Sequence, residues 1–419
     1  MTDGDAARFA ALLTDEGRRL LGEIRPGEDA LAASTRLRRT YPAELVATAL
    51  TQARLRGRAV EKFGADAARM YFTPDGLEQA TRAEVAAHRA ARFARLGAPA
   101  ADLCCGIGAD LVALARAGLP VTGVERDPLT AAVARANAAA LALTATVRTG
   151  DATAMDPDAG GAVFCDPARR PSGGPRGAGG RGRRIFDPEA YSPPLSMALD
   201  LASRTRGGCV KVAPGIPHEA VPDDTEAEWV SWRGEVKEAA LWLGALTELG
   251  APESRANAHT AARGAGAARA RRRATLLPSG ATLTDEPGLG APPVSGVRRY
   301  LYEPDGAVIR AHLVAGVAAR VDGALIDPAI AYITADRLTP TPFARAYEIE
   351  DVLPFSVKRL RAALRERGVG TLTIKKRGSA VDIDRLHRDL RPSGDAAATV
   401  ILTRLDTRPY ALLAHPAHP

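Results

Sequence analysis

Residues 102–110 read DLCCGIGAD and directly follow a short apolar segment at 98–101. A metal site, a redox pair, a nucleotide-binding turn and a tight bend between a strand and a helix are the four candidate explanations. The two cysteines are adjacent, whereas zinc knuckles and redox pairs separate their cysteines by two residues. Gly106 and Gly108 let the backbone turn tightly and approach a ligand without a Cβ atom in the way. The stretch therefore predicts a strand, a glycine turn and a helix that begins near Asp110, whose amino end faces whatever binds at the turn.

Short apolar runs and helical segments alternate downstream of a helical region that covers residues 1–95. The clearest later helix is predicted at 128–142, and the candidate strands are 99–104, 120–125, 145–149, 161–166, 207–213, 228–232 and 270–277. This alternation favours an α/β fold with a mostly parallel sheet and helices on both faces. Such sheets bind ligands beyond the carboxyl ends of their strands.

The first four candidate strands each end in residues suited to a ligand. Asp102 and the glycine turn follow the first, and Glu125 ends the second, where a carboxylate can accept hydrogen bonds from both hydroxyls of a ribose. Asp151 follows the third strand and could accept from an adenine amino group or cap a helix. The fourth strand ends at Asp166–Pro167. Each feature alone has an ordinary structural explanation, but the ordered set predicts one adenosine-containing ligand.

The dinucleotide fingerprint of oxidoreductases requires a third glycine, G-x-G-x-x-G, under the pyrophosphate. Leu111 stands at that third position, and Asp102 precedes the glycines, where it would repel a pyrophosphate but could pair with a cation. S-adenosylmethionine has no phosphate and carries an ammonium and a sulfonium. The acids therefore fit that cofactor better, and a nucleotide-dependent oxidoreductase is the disfavoured alternative.

The four elements resemble motifs I to IV of the class I S-adenosylmethionine-dependent methyltransferases over about residues 70–280. Six stretches are similar to bacterial methyltransferases with a C-terminal THUMP-like domain: LEQAT, HRAARF, DLCCGIGAD, FCDPARR, KVAPGI and TLTIKKRGSAVDIDRLHRDL. The resemblance implies a Rossmann-like sheet and S-adenosyl-L-methionine as cofactor. We expect an N-terminal helical domain at 1–70, the methyltransferase domain at 71–284, and an α+β region at 285–419 whose THUMP-like domain covers about 341–413.

The resemblance also implies which residues hold the cofactor. Asp102, Gly106 and Gly108 would cradle its methionine part, Glu125 would bind its ribose, and Asp151 would contact its adenine. The residues expected to line the adenine ring or to close over the cofactor are Arg126, Ala152, Phe72, Thr73 and Gln79.

Asp166–Pro167 begins like the (Asp/Asn)-Pro-Pro-(aromatic) motif of amino-methylating enzymes. In that motif the first side chain and the following carbonyls accept hydrogen bonds from an exocyclic amine, and the aromatic ring stacks on the base. Ala168 and Arg169 replace the second proline and the aromatic residue. A guanidinium can stack on a base or bind a phosphate, so Asp166, Pro167 and Arg169 are the candidate catalytic residues and a nucleic acid remains a suitable target.

The chain has a net charge of +7 and a pI of about 9.4, which favours phosphate-bearing partners. Most of its basic residues are arginines in an alanine-rich chain, which indicates a coding bias, so clustering is more informative than the total. Two basic clusters are candidate RNA contacts: Arg170, Arg181, Arg183 and Arg184 in the Arg/Gly stretch 168–184, and Lys375, Lys376 and Arg377 in the THUMP-like region. THUMP domains bind RNA, so rRNA or tRNA is the leading substrate class.

Other interpretations stay open at this point. The altered fourth motif also suits a non-catalytic RNA-binding or assembly protein that retains the methyltransferase fold, whereas methylation of a small molecule or a protein would leave the basic stretch without a role. We interpret the four cysteines as small buried hydrophobes and predict no metal site. A secretory signal and an apolar run of about 18 residues are both missing, so a cytoplasmic location without membrane insertion is expected. Nothing in the sequence specifies an oligomeric state.

Overall fold

The computed structural model describes residues 3–25, 27–169, 186–249 and 271–417. The chain divides into two compact units. Unit 1 comprises Met1–Ala227 and Glu238–Pro252, and unit 2 comprises Glu228–Lys237 and Glu253–Pro419. The predicted domain boundaries after residues 70 and 284 remain predictions. No helix within the described ranges is both long and apolar enough to span a bilayer.

Unit 1 begins with six helices, as the periodicity of residues 1–95 predicts. Thr14 and Asp29 cap the second and third helices by accepting hydrogen bonds from backbone amides, and Gly97 ends the sixth in the left-handed conformation. The six helices are α1 (Asp3–Leu12), α2 (Asp15–Glu23), α3 (Ala30–Leu37), α4 (Ala43–Phe63), α5 (Pro74–Gln79) and α6 (Ala83–Leu96).

The rest of unit 1 is the predicted sheet with its helices. The elements are β1 (Ala100–Leu103), α7 (Ala109–Arg116), β2 (Val121–Glu125), α8 (Pro128–Ala140), β3 (Thr146–Thr149), β4 (Ala162–Cys165), α9 (Leu195–Ser203) and β5 (Gly207–Val212). These strands confirm the first five predicted runs and are parallel to their neighbours, in the order β3-β2-β1-β4-β5. Their carboxyl ends therefore lie along one edge of the sheet.

The sixth predicted strand is β6 (Glu226–Trp232), and it turns directly into a strand that the sequence analysis missed, β7 (Glu235–Gly244). β7 is antiparallel to β5. The turn residues Arg233 and Gly234 have φ angles of 51° and 84°, the backbone of a two-residue hairpin turn. This Arg-Gly dipeptide between two apolar runs is the sequence feature from which the hairpin and β7 could have been predicted.

Unit 2 contains β8 (Arg272–Leu277) and β9 (Ala281–Thr284) and a separate seven-stranded sheet. The strands of that sheet are β10 (Tyr300–Pro304), β11 (Ala324–Asp327), β12 (Ile330–Ala335), β13 (Ala344–Pro354), β14 (Val369–Lys376), β15 (Ala396–Leu405) and β16 (Arg408–Pro416), in the order β11-β12-β10-β13-β16-β15-β14. Four helices accompany them: α10 (Gly306–Arg310), α11 (Val314–Arg320), α12 (Val357–Glu366) and α13 (Ile383–Leu390).

The α+β interpretation of the C-terminal region is thus confirmed. Ser356 stands at the N-cap position of α12, but its side chain makes no capping hydrogen bond. The apolar sides of α12 and α13 pack on one face of β14, β15 and β16 around Leu364, Leu386 and Val400. This packing stabilises α12 without a side-chain cap, whereas α13 also has Asp382 as its cap, which accepts from the Arg385 amide.

Candidate active site

The hydrogen-bonded pairing of neighbouring strands places the carboxyl ends of the four predicted strands side by side. Leu103 pairs with Val124 of β2 and with Cys165 of β4, while Glu125 pairs with Thr149 of β3. The residues that follow these pairs therefore emerge side by side along the carboxyl edge. In strand order they are Asp151, Glu125, the turn at 104–108, and Asp166.

The glycine turn has the backbone that its composition predicts. Gly106 and Gly108 have φ angles of 57° and 86°, and Gly108 forms the amino-terminal cap of α7. A Cβ atom on Gly106 would meet open space, since no heavy atom of the described residues, apart from Gly106 and its two chain neighbours, lies within 4 Å of it. Cys104 also has a positive φ, 62°. The turn thus presents bare backbone to an open side of the site.

The Glu125 carboxylate is held in place by two backbone amides. Its Oε2 accepts from the Gly106 amide at 3.0 Å, and its Oε1 accepts from the Asp127 amide at 2.9 Å. Each carboxylate oxygen has a second lone pair for a further donor. Two oxygens fixed this way, on the strand beside the turn, can accept the two hydroxyls of a ribose.

The helical region packs directly against the turn through a residue that the sequence analysis missed. Asn137 of α8 is fully buried and donates to the carbonyl oxygens of Ile107 and Tyr71, while it accepts from the Tyr71 amide. Gly76 in α5 lies against Ile107 so closely that a Cβ atom there would fall 2.3 Å from the Ile107 Cγ2. The segment 71–79 therefore lies beside the turn, and the closing of Phe72, Thr73 and Gln79 over the cofactor remains a prediction.

The predicted residues within that segment differ in what they present. Phe72 is buried against Phe63, with ring centroids 5.5 Å apart, so its ring is part of the helical core. Thr73 caps α5 by accepting from the Gly76 amide, and Gln79 is exposed. A role for the Phe72 side chain at the cofactor would need it to leave this packing, whereas Gln79 is free of that constraint.

Asp151 follows β3 and does act as a helix cap. Its Oδ1 accepts from the amide and hydroxyl of Thr153, at 2.9 and 2.8 Å, and these hydrogen bonds lower the pKa of Asp151. Ala152 is buried beside it, and the exposed Arg126 guanidinium contributes a smaller lowering effect. The cap leaves Oδ2 for a ligand donor, so capping and adenine contact are compatible.

Asp166, at the end of β4, is anchored by a buried cation. Its Oδ2 accepts from the Lys211 ammonium at 2.8 Å, and its side chain keeps 25% exposure. Pro167 is buried, and the chain then pairs Ala168 with Ser192 in an antiparallel bridge. Arg169 follows that bridge, half-buried.

A layer of buried charges lies beneath this edge, and the sequence analysis did not find it. Arg89 of α6 forms ion pairs with Asp110 at 3.0 Å and with Glu238 at 2.7 Å, and all three side chains are at most 8% exposed. Asp102 is 1% exposed, and neither of its carboxylate oxygens has a partner in hydrogen-bonding geometry among the described residues. The sequence feature that could have predicted this layer is a charged residue inside an otherwise apolar run, such as Lys211 in the predicted strand 207–213.

Burial raises the pKa of Asp102 well above its usual range, and the negative charges of Asp110 and Asp166 add to this effect. Arg89 and the approaching Leu111 amide offset only part of it. Burial acts in the same sense on Asp110, but the Arg89 and Lys211 charges outweigh it and lower the pKa of that carboxyl group. The layer thus holds the buried Asp102 carboxyl group, which lies two residues before the turn at 104–108 and forms no ion pair among the described residues.

The candidate RNA contacts fall into two sets. Arg170, Arg181, Arg183 and Arg184 lie outside the described residues. In unit 2, Lys375 pairs with Glu303 at 2.6 Å and lies 5.6 Å from the Tyr347 ring centroid, and Arg377 lies over Tyr332. Lys376 is exposed and donates to a nearby carbonyl.

The three thiols at 105, 165 and 209 are buried, whereas Cys104 in the turn is partly exposed. The hydrophobe interpretation therefore holds for three of the four cysteines. Within the described ranges, no group of three or more His, Cys, Asp and Glu side chains is arranged to hold a metal ion.

Known proteins are similar to this chain in sequence and in fold. Two uncharacterised S-adenosylmethionine-dependent methyltransferases of Mycobacterium tuberculosis, from strains CDC 1551 and H37Rv, are each 37% identical over 363 residues, covering 84% of this chain and 90% of the relative. The chain belongs to the S-adenosylmethionine-dependent methyltransferases. Residues 344–416 of this methyltransferase match the family described as THUMP domain-like, and residues 5–59 match a domain of unknown function, DUF8688.

The fold of the methyltransferase is also found in a crystal structure. A candidate methyltransferase from Porphyromonas gingivalis W83 superposes with a TM-score of 0.70 at 22% identity, covering 99% of this chain and 98% of that one. At this identity the similarity concerns the fold. The family predicted from the resemblance, a class I methyltransferase with a C-terminal THUMP-like domain, is confirmed. Its predicted cofactor, S-adenosylmethionine, is confirmed as well.

The residues at the carboxyl edge fit this cofactor. The open side of Gly106 leaves room for a ligand against bare backbone, and the fixed Glu125 carboxylate suits a ribose. Asp102, which is buried near the turn and has no hydrogen-bond partner among the described residues, suits a cationic ligand, because a nearby ammonium or sulfonium would favour the ionised form of this carboxyl group, which burial disfavours. Since the Asp102 side chain is inaccessible, that attraction would act through the turn.

Proposed function

We propose that this methyltransferase modifies a base in RNA, rRNA or tRNA, and that Asp166–Pro167 positions the acceptor. Bound S-adenosylmethionine would supply an electrophilic methyl group. The remaining tasks of orienting the acceptor and accepting hydrogen bonds from it belong to this chain. In this proposal Gly106, Gly108, Glu125 and Asp151 hold the cofactor, with Asp102 acting from beneath.

The observation that carries the proposal is the state of the Asp166 carboxylate. Lys211 occupies its Oδ2, while no hydrogen bond to Oδ1 is found among the described residues, and the side chain is partly exposed at the sheet edge that holds Glu125. An exocyclic N–H donor can therefore be accepted at Oδ1, which would orient the nitrogen lone pair. The adjoining Arg169 can stack on the base or bind a phosphate, in place of the missing aromatic residue.

RNA as the target is supported by features of the chain outside this edge. The THUMP-like match at 344–416 contains the basic stretch 375–377, and the net charge is +7. A surplus of arginine and lysine favours polyanions, because binding releases condensed counterions from the phosphates. A small uncharged substrate would make no use of this surplus.

The test is methyl transfer from radiolabelled S-adenosylmethionine to total RNA from cells that lack this protein. We expect label that ribonuclease removes, with one methylated nucleoside absent from the deletion strain by mass spectrometry and restored by the wild-type gene. Asp166→Ala should abolish transfer while retaining S-adenosylhomocysteine binding. Salt-sensitive RNA binding without any transfer would instead support the non-catalytic alternative, and label found only in protein or small molecules would refute the RNA proposal.

A further inference from the structure

Lys211 lies within the layer of buried charges and contacts Asp166, the residue proposed to position the acceptor. Lys211 lies in β5 between two apolar residues. Although it is charged, it is only 4% exposed. Its Nζ donates to Asp166 Oδ2 at 2.8 Å and to the Thr81 hydroxyl at 2.9 Å, and it lies 3.9 Å from Glu238. A buried ammonium needs such partners, since desolvation without them would be very unfavourable.

The sheet register explains why the lysine meets this particular carboxylate. Cys165 of β4 pairs with Val210 of β5, so the next residues along the two parallel strands are Asp166 and Lys211. Their side chains therefore leave the sheet on the same face and side by side. The Lys211–Asp166 contact is thus built into the pairing of two central strands.

We propose that Lys211 is a positioning residue for methyl transfer, which holds Oδ2 of Asp166 so that Oδ1 faces the acceptor as a hydrogen-bond acceptor. The inference rests on the proposed role of Asp166. It adds the group that orients this carboxylate. A carboxylate fixed by a charge-assisted hydrogen bond also loses little conformational entropy when the acceptor binds.

The surroundings explain why the cation is required. Acidic groups crowd this region, and the Lys211 ammonium supplies a positive charge between Asp166 and Glu238 that offsets their mutual repulsion. The attraction of Asp166, Glu238 and Asp110 outweighs burial and raises the pKa of Lys211, so the ammonium persists at neutral pH. The charged and titratable groups that face the pair are Asp102, Asp110 and Glu238 on the acidic side and Arg89 and Lys62 on the basic side.

A purely structural role is the competing explanation, because Lys211 also contacts Thr81 and Glu238. Four variants separate the two roles: Lys211→Met, Asp166→Asn, the double variant, and Thr81→Val as the control that removes another partner of the ammonium. Lys211→Gln replaces Lys211→Met if the latter does not fold, because the amide can still donate to Asp166 but carries no charge. Circular dichroism and S-adenosylhomocysteine calorimetry first establish that each variant is folded and binds ligand.

The first readout needs no activity. In crystal structures, Oδ2 of Asp166 should lie within hydrogen-bonding distance of the Lys211 ammonium in the wild type and in Thr81→Val. In Lys211→Met the Asp166 carboxylate should adopt another rotamer, because the group that holds Oδ2 is gone. An unchanged Asp166 rotamer in Lys211→Met would overturn the inference, whether or not the protein methylates RNA.

The second readout is kcat for RNA methylation. Lys211→Met should lose about 100-fold or more at neutral pH with its S-adenosylhomocysteine Kd within about 3-fold, and in the Asp166→Asn background the same change should cost less than about 3-fold. Equal losses in both backgrounds would refute action through Asp166. If the wild type transfers no methyl group to RNA, the proposed function fails, and the Asp166 rotamer in the Lys211→Met structure alone decides the role of Lys211.

Discussion

Gly106 combines a left-handed backbone with open space on its ligand side, and the two properties can be separated by substitution. We expect Gly106→Val to fold with a loss of about 1–2 kcal/mol, because a β-branched residue at a φ of 57° is strained. Its side chain would fill the open side of the turn, so S-adenosylhomocysteine affinity by calorimetry should fall at least about 100-fold. Gly118 has a φ of 83° and equally open space at the far end of α7. Gly118→Val should therefore lose similar stability but bind normally, and a similar loss of affinity in both variants would contradict a cofactor-binding role for the turn.

Glu125 gives the second prediction at the scale of one residue. Glu125→Ala should weaken S-adenosylhomocysteine binding by at least about 10-fold, since each hydrogen bond to a charged acceptor contributes roughly 1.5–3 kcal/mol. Glu44→Ala removes the same charge from a side chain that is 81% exposed in the helical region, and its affinity should equal that of the wild type. Calorimetry that finds full affinity in Glu125→Ala would remove this carboxylate from the cofactor site.

Asp102 predicts a pH dependence of stability. Its raised pKa means that the folded protein retains a proton that the unfolded chain has already released, so the free energy of unfolding falls as pH rises from about 4 through the folded-state pKa. Asp102→Asn removes this titration. The variant should therefore gain stability over the wild type as pH increases across that window, while S-adenosylhomocysteine affinity decreases.

Urea unfolding of both proteins between pH 5 and 8 measures the Asp102 effect. A stability difference that does not change with pH would show that Asp102 is already ionised at pH 5 in the folded protein.

At the scale of elements, Asn137 joins α8 to the turn and to the segment that precedes α5. Asn137→Leu would leave the Tyr71 amide and the Tyr71 and Ile107 carbonyls buried without partners. We expect a loss of about 2–4 kcal/mol in urea unfolding, together with weaker S-adenosylhomocysteine binding. Ala139→Leu places the same side chain on the exposed face of α8 and should change stability by less than about 0.5 kcal/mol. Comparable stability of the two variants would be inconsistent with the Asn137 hydrogen bonds.

The elements that the sequence predicted are those with a local signal. The strands of the parallel sheet are short apolar runs, and α8 begins at Asp127–Pro128, a capping residue followed by proline. β7 was missed because its run EVKEAALWLG alternates poorly between polar and apolar residues. It becomes a strand because it pairs with β5, a tertiary effect that overrides weak local preference.

At the scale of the whole molecule, the proposed RNA binding should depend strongly on salt. Lys376 in unit 2 is exposed, whereas Lys375 beside it is paired with Glu303. We expect Lys376→Ala to reduce the slope of log K against log [KCl] by about 0.7, the value for one phosphate contact on single-stranded RNA. Fluorescence anisotropy with a labelled RNA measures the slope, and Arg19→Ala, an exposed arginine in α2, is the charge-matched control. If the two variants have equal slopes, Lys376 is not an RNA contact.

The sequence by itself determined the α/β class, the strands that end in acidic residues, and the family. These follow from local rules: apolar runs of strand length, glycines where the backbone turns, and carboxylates placed one after another at strand ends. The row Asp151, Glu125, Gly106 and Asp166 could be predicted because parallel strands align their carboxyl ends at one edge.

Only the tertiary structure decided what lies beneath that row. Lys211 meets Asp166 from 45 residues away and Thr81 from 130, and Asn137 meets Ile107 from 30. Such partners are set by strand register and by the packing of α6 and α8 on the sheet. The physical reason is that a buried charge or amide must be paired, and its partner is a residue that only the tertiary fold brings close. A local sequence pattern cannot predict which distant residue that will be.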